Sequence, residues 1–234
     1  MIATPTGVTA PDPAEVVPRA VLLDMDGTLI DSEGLWRAAE REVAADLGGV
    51  WTDEDHQRNV GSALVPVARY ITELTGTGAP PAEIASRLRE AFRRQVAAGA
   101  ELRPGAKELV AAVAGSGVPM ALVTSTERSV LDAAIGGIGV ESFDLTVAGD
   151  EVERNKPAPD PYLKAARLLG VDPARCVAFE DSAVGVASAC AAGCVTVAVP
   201  NMVRIEEADG LTVIESLVGV DLEWMSALVR ARHG

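Results

Sequence analysis

Residues 19–36 read RAVLLDMDGTLIDSEGLW. Four apolar residues, Ala20 to Leu23, run directly into Asp24, and Asp26, Gly27 and Thr28 follow at once. On a strand, side chains at i and i+2 point to the same side. Asp24 and Asp26 therefore lean toward one place, with Met25 turned away. Two close carboxylates repel, which raises a pKa unless a cation lies beside them. Mg²⁺ is the economical cation, since it favours carboxylate oxygens and keeps positions open for other oxygen ligands such as phosphate. Gly27 lets the chain leave the strand sharply, and Thr28 adds a hydroxyl. Taken alone, the same letters also describe a turn carrying two solvated acids. The rest of the chain decides between the two.

Three further apolar runs look like strands buried on both faces: VPMALVT (118–124), CVAFED (176–181) and CVTVAV (194–199). A fifth, DLTVAG (144–149), is weaker. Helical patterns separate them: PGAKELVAAVAGSG, PDPYLKAARLLG and DSAVGVASACAAG. Strand alternating with helix predicts a doubly wound α/β fold, with a Rossmann-like parallel sheet at its centre. One segment breaks the alternation. Residues 33–99 carry only helical signals and are too many for a loop, so they read as an inserted all-α module. The expected organisation is a loose tail over 1–18, a core of 19–32 with 100–234, and a helical cap over 33–99. The insert leaves the first strand at its carboxyl end, where open α/β sheets bind ligands, so it is placed as a lid.

Composition excludes other classes. The formal charge is −14 and aromatics are 3%, so neither the basic face nor the aromatic platform of a nucleic-acid binder is visible. No apolar run approaches the roughly 20 residues of a membrane span. The first residues lack the basic start and apolar centre of a signal peptide, so a cytoplasmic location is expected; a monomer is expected as well. Cys176, Cys190 and Cys194 form an odd set without a secretory context. Cys190 and Cys194 are spaced for one side of a helix and read as small buried hydrophobes. His56 and His233 lie in no catalytic motif, and His56 reads as a solvated residue of the insert.

The ends of the strands carry the chemistry. The second ends in Thr124, Ser125 and Thr126, hydroxyls and backbone N–H groups at the start of a helix, which suits an anion. Lys156, in RNKPAPDPYL, is one of three lysines in the chain. A compact ammonium suits a phosphoryl oxygen. The fourth run ends in a second acidic pair, Glu180 and Asp181, followed by Ser182. Each feature is weak alone, but they follow one another at successive strand ends.

In this combination the chain resembles the haloacid dehalogenase superfamily, in its phosphatase branch with a helical cap after the first motif. The matches are DMDGT, Thr124 after an apolar strand, KP at Lys156, and ED at Glu180, over about residues 19 to 200. DMDGTLIDSEGLW further resembles sugar-phosphate and hexitol-phosphate phosphatases of that branch. The resemblance implies that Asp24 attacks phosphorus and forms an aspartyl-phosphate. Asp26 protonates the leaving oxygen and then activates water. It implies Mg²⁺ on the Asp24 carboxylate, the Asp26 carbonyl and Asp181, with Glu180 at the metal or its water. Thr124, the Ser125 N–H and Lys156 would hold the phosphoryl oxygens. Glu33, Trp36, Asn59, Gly61 and Ser62 are candidates to face a small phosphorylated substrate from the cap.

Departures from the pattern narrow the reading. Asp26 argues against dehalogenation, because true dehalogenases lack it. No lysine lies between residues 33 and 99, which removes the cap Schiff base of phosphonoacetaldehyde hydrolases. β-Phosphoglucomutases carry a histidine where this chain has Trp36, and an arginine where it has Leu64. Both changes weaken the mutase reading, so the expected function is a Mg²⁺-dependent phosphatase of a small sugar or polyol phosphate, with a phosphoglucomutase-like transferase and a phosphate-binding module without turnover as the alternatives.

Overall fold

The computed structural model describes residues 18–60, 64–138 and 140–233. Its centre is a six-stranded sheet among these residues: β1 (Ala20–Leu23), β2 (Met120–Val123), β3 (Leu145–Val147), β4 (Cys176–Glu180), β5 (Val195–Ala198) and β6 (Leu211–Val213). The spatial order is β3-β2-β1-β4-β5-β6. Every neighbouring pair is parallel. The expected doubly wound parallel sheet is therefore present. β1, β2, β4 and β5 are buried along their whole length, which is why their sequences are apolar runs rather than alternations.

β6 adds a strand to the five expected. It is three residues long, half-buried throughout and at the sheet edge, so LTV carries no buried-strand signature. The cysteine reading also needs correction. Cys176 and Cys194 are buried, but Cys190 is exposed. Cys194 is not on the helix with Cys190: α8 (Ala183–Ala191) ends before it, and Gly193 turns the chain toward β5.

Helices α1 (Glu33–Asp46), α2 (Asp53–Asn59), α3 (Leu64–Thr75) and α4 (Pro81–Ala98) follow β1. No strand lies among the described residues of 33–99. α1 and α3 both pack on α4, through residues such as Ala39, Val43, Ile71, Ile84, Leu88 and Phe92. Their buried residues are continuous with those of the sheet, for example Val21, Leu23 and Leu122. The helical insert thus rests on the core rather than hanging from a linker. Arg89 on α4 also pairs at 2.9 Å with Glu127, just before α6 (Arg128–Ile138).

The remaining helices, α5 (Ala106–Ser116), α7 (Asp160–Leu169) and α9 (Leu222–His233), belong to the core. None of the described helices is long and apolar enough to cross a membrane. His56 corrects a further expectation. It is buried, at 3% exposure, because α1 lies over α2 and sandwiches the ring between Glu33 and Glu40.

Candidate active site

Strand register assembles the site. Leu23 pairs with Leu122 on one side and Phe179 on the other. The next residue on each strand, Asp24, Val123 and Glu180, therefore falls at one level at the carboxyl edge of the sheet. Thr124 and Asp181 lie one step beyond. Three sequence-distant motifs meet because three parallel strands end together.

Asp24 is buried and its two oxygens have different partners. Oδ2 accepts from the Thr28 hydroxyl at 3.0 Å, and Oδ1 accepts from Lys156 Nζ at 2.7 Å. Lys156 also donates to the Val123 carbonyl at 2.9 Å and contacts Glu180 Oε1 at 2.6 Å. Its three N–H groups are thereby matched to three acceptors. Burial opposes the lysine's charge, but Asp24 and Glu180 beside it win and hold the ammonium above its ordinary range. Glu180 Oε1 accepts additionally from the Tyr162 hydroxyl at 2.6 Å. A Cβ on Gly185 would stand 1.8 Å from Glu180 Oε2, so that glycine makes room for the carboxylate.

Asp26 faces the same space. Its Oδ2 accepts from Thr126 at 2.7 Å and from Thr124 at 3.3 Å, while Oδ1 is buried without a hydrogen-bond partner. Burial, reinforced by the charge on Asp24, raises its pKa to about 6, against hydrogen bonds from Thr126, Ser32 and Thr124. Burial and the neighbouring carboxylates push Asp181 up to about 8. Burial lifts Glu180 to about 7 despite Lys156.

Burial is the largest cause of all three shifts, and repulsion among the carboxylates adds to it. Asp24 and Glu180 pair with the Lys156 ammonium, and Asp181 and Asp26 stand beside them. Carboxylate oxygens of Asp24, Glu180 and Asp181 lie within 4.8 Å of one another. An all-oxygen donor set with unmatched negative charge, and a buried Asp26 oxygen without a partner, fits a hard dication. Gly27 belongs to this arrangement, for its φ is +76° and an added Cβ would lie 1.9 Å from Asp181 Oδ2.

A cavity of about 340 Å³ opens over these groups. Asp24, Asp26, Thr124, Ser125, Lys156 and Asp181 line its core side. From the helical insert, Glu33, Trp36 and Asn59 reach it, together with Val60, Leu64 and Leu88. Trp36 does so while stacked on Phe92, with ring centroids 3.8 Å apart. Asn59 lines the cavity while its amide donates to the Asp55 carbonyl at 2.7 Å. Gly61 and Ser62, also expected here, lie outside the described residues. Glu180 does not line the cavity; it stands behind Lys156 and orients it.

Sequence reasoning missed several members. Ser32 hydrogen-bonds Asp26, Tyr162 holds Glu180, and Asn155 fixes the loop after β2; Thr126, expected at the anion seat, donates to Asp26 instead. The Asn155 amide donates to the Ser125 carbonyl at 3.0 Å, and its Oδ1 accepts from the Lys156 N–H at 2.8 Å. Only Asn155 had a usable signal, its place beside Lys156.

Comparison with known proteins places this geometry among relatives. Residues 18–193 match the family model described as haloacid dehalogenase-like hydrolase. The protein CbbY of Rhodobacter capsulatus is 38% identical over 196 residues, covering 78% of this chain and 86% of the relative. Fructose-1-phosphate phosphatase YqaB of Escherichia coli is 36% identical over 177 residues, covering 74% and 92%. Among solved structures, a mutant of CbbY of Rhodobacter sphaeroides in complex with xylulose-(1,5)bisphosphate superposes with a TM-score of 0.73. It is 31% identical and covers 87% of this chain and 96% of that one.

Proposed function

The chain belongs to the haloacid dehalogenase-like hydrolases, and we propose that it is a phosphatase that hydrolyses a small sugar or polyol monophosphate through an aspartyl-phosphate. The observation that carries the reading is Asp24 held between Thr28 and Lys156, with Asp26 beside it and Asp181 close by. The likeness to a fructose-1-phosphate phosphatase supports the substrate class.

The residues divide the work. An Asp24 oxygen forms a bond to phosphorus as the bond from phosphorus to the substrate alcohol breaks. Asp26, whose pKa of about 6 favours a proton at mildly acidic pH, gives that proton to the leaving oxygen. It then takes a proton from water as the water oxygen attacks phosphorus, which frees phosphate and regenerates Asp24. Thr124, Ser125 and Lys156 hold the phosphoryl oxygens; Lys156 exchanges one of its three present acceptors for one of them. Mg²⁺ on Asp24, Asp181 and the Asp26 carbonyl would neutralise charge on the phosphoryl group, with Glu180 near it. Thr28 and Tyr162 fix the groups they touch.

The helical segment 33–99 acts as the cap that closes on the alcohol portion. Among the described residues, no arginine or lysine of that segment lines the cavity. Arg58 is engaged with Glu54, Arg94 with Glu42 and Glu90, and Arg69 is exposed. A mutase or a bisphosphatase needs a second cation for a second phosphate. Among the described residues this cavity offers Lys156 alone, which favours water as acceptor and a monophosphate as substrate. The test is a panel of phosphorylated metabolites with Mg²⁺. Free phosphate from hexose or hexitol 6-phosphates is expected. Rapid conversion of β-glucose 1-phosphate to glucose 6-phosphate with little free phosphate would overturn the reading.

A further inference from the structure

A buried carboxylate–imidazole–carboxylate chain stands against the cavity, and the chemistry above does not use it. His56 Nδ1 lies 2.6 Å from Glu40 Oε2, and Nε2 lies 2.9 Å from Glu33 Oε1. The His56 and Glu40 side chains are 4% and 7% exposed, whereas Glu33 is 20% exposed. Glu33 and Glu40 line the cavity, and His56 stands behind them.

Proton count decides what this chain can do. An ionised carboxylate only accepts, and a neutral imidazole has one N–H. For both carboxylates to hydrogen-bond the ring, two protons are required among the three groups. Three arrangements satisfy this: an imidazolium between two carboxylates, a neutral ring that donates to Glu33 while a protonated Glu40 donates to the ring, or the mirror case with the acid proton on Glu33. Burial pushes Glu40 up toward the protonated form, consistent with the second arrangement. In the first two, Glu33 faces a ring N–H as an acceptor beside the substrate space. At 2.9 Å from Glu33 Oε1, Nε2 is in close ion-pair range but outside hydrogen-bond alignment in this structure.

We propose that His56, backed by Glu40, is a positioning residue that holds Glu33 as the hydroxyl acceptor for a polyhydroxylated phosphate monoester. The proposal rests on the phosphatase reading above and specifies how selectivity for the alcohol portion arises. A charged acceptor held in place strengthens hydrogen bonds from hydroxyl groups. It gives nothing to an aryl phosphate, whose ring has no hydroxyl to donate.

The experiment compares KM and kcat for sorbitol 6-phosphate and phenyl phosphate in wild type, His56→Phe, Glu33→Gln, their double variant, and Glu40→Gln. Losing one hydrogen bond to a charged group costs about ten- to hundredfold in binding. His56→Phe and Glu33→Gln should each raise KM for sorbitol 6-phosphate by about that factor, with a much smaller rise for phenyl phosphate. The double variant should be no worse than the poorer single one, because both break one chain. Glu40→Gln should keep the selectivity, since its amide can donate to Nδ1 and leave Nε2–H facing Glu33. A KM that rises equally for both substrates, or additive losses, would overturn the positioning role. A wild-type protein that releases phosphate from neither substrate would instead overturn the phosphatase reading beneath it.

Should His56→Phe fail to fold, nitrogen NMR of the ring decides, since the chain has only two histidines. In the Asp24→Asn variant, sorbitol 6-phosphate should shift the His56 signals, whereas inorganic phosphate should not. Equal responses to both would reject the proposal.

Discussion

Gly27→Ala separates the fold from the proposed metal site. The glycine has φ +76°, and an added Cβ would stand 1.9 Å from Asp181 Oδ2 and 2.6 Å from its Cγ. Both cannot occupy that volume, so the Asp181 carboxylate must swing out. A left-handed backbone on a residue with a Cβ costs about 1–2 kcal/mol. Moving Asp181 adds little to the cost in the absence of cation, because it relieves repulsion from Asp24, Glu180 and Asp26. At about 2–4 °C per kcal/mol for a chain of this size, Tm without metal should fall by about 2–8 °C. Loss of an outer-sphere partner alone weakens metal binding about 10–100-fold. Loss of a direct carboxylate ligand should therefore cost more than about 100-fold in Mg²⁺ affinity, and phosphate release should fall in parallel. Thermal melting without metal, Mg²⁺ titration calorimetry and a phosphate-release assay on one preparation read all three. A folded variant that binds Mg²⁺ and turns over within twofold of wild type would refute the placement of Asp181 at the metal.

Two further outcomes follow from the same charges. Lys156→Met should destabilise the fold by about 3–5 kcal/mol, since it leaves Asp24 and Glu180 buried without their ammonium; urea unfolding measures it, and a loss below about 1 kcal/mol would contradict the pairing. pH dependence without divalent cation should slope downward. Asp26, Glu180 and Asp181 have folded pKa values raised to about 6, 7 and 8. The native state therefore binds more protons than the unfolded one, and stability present below about pH 4 is lost as pH climbs toward 8. Adding Mg²⁺ should flatten the slope, because the ion binds the deprotonated groups; denaturation midpoints across pH with and without Mg²⁺ check this, and identical slopes would count against the site.

Much of this arrangement is legible in the chain itself. β1, β2, β4 and β5 are buried on both faces, so each is a nearly continuous apolar run, and polar residues mark the ends of β1, β2 and β4. Parallel order then places Asp24, Thr124 and Asp181 at one edge, and Lys156 follows from its position after the third strand. What stays hidden depends on packing between distant segments. His56 is sixteen residues from Glu40, and nothing local to TDEDHQRN signals that α1 will cover it. Glu180 shares its acidic pair with Asp181, yet Tyr162 of α7 and Lys156 in the loop before it hold it behind the cavity. β6 has too few residues and too little burial to leave a pattern.

The central claim is covalent transfer to Asp24. The direct measurement is rapid acid quench during turnover of a hexitol 6-phosphate with Mg²⁺, followed by mass spectrometry of the peptide containing Asp24. A phosphoryl group on that peptide, absent in a folded Asp24→Asn variant that also releases no phosphate, is the predicted result. Wild-type rates of phosphate release from Asp24→Asn would contradict the account.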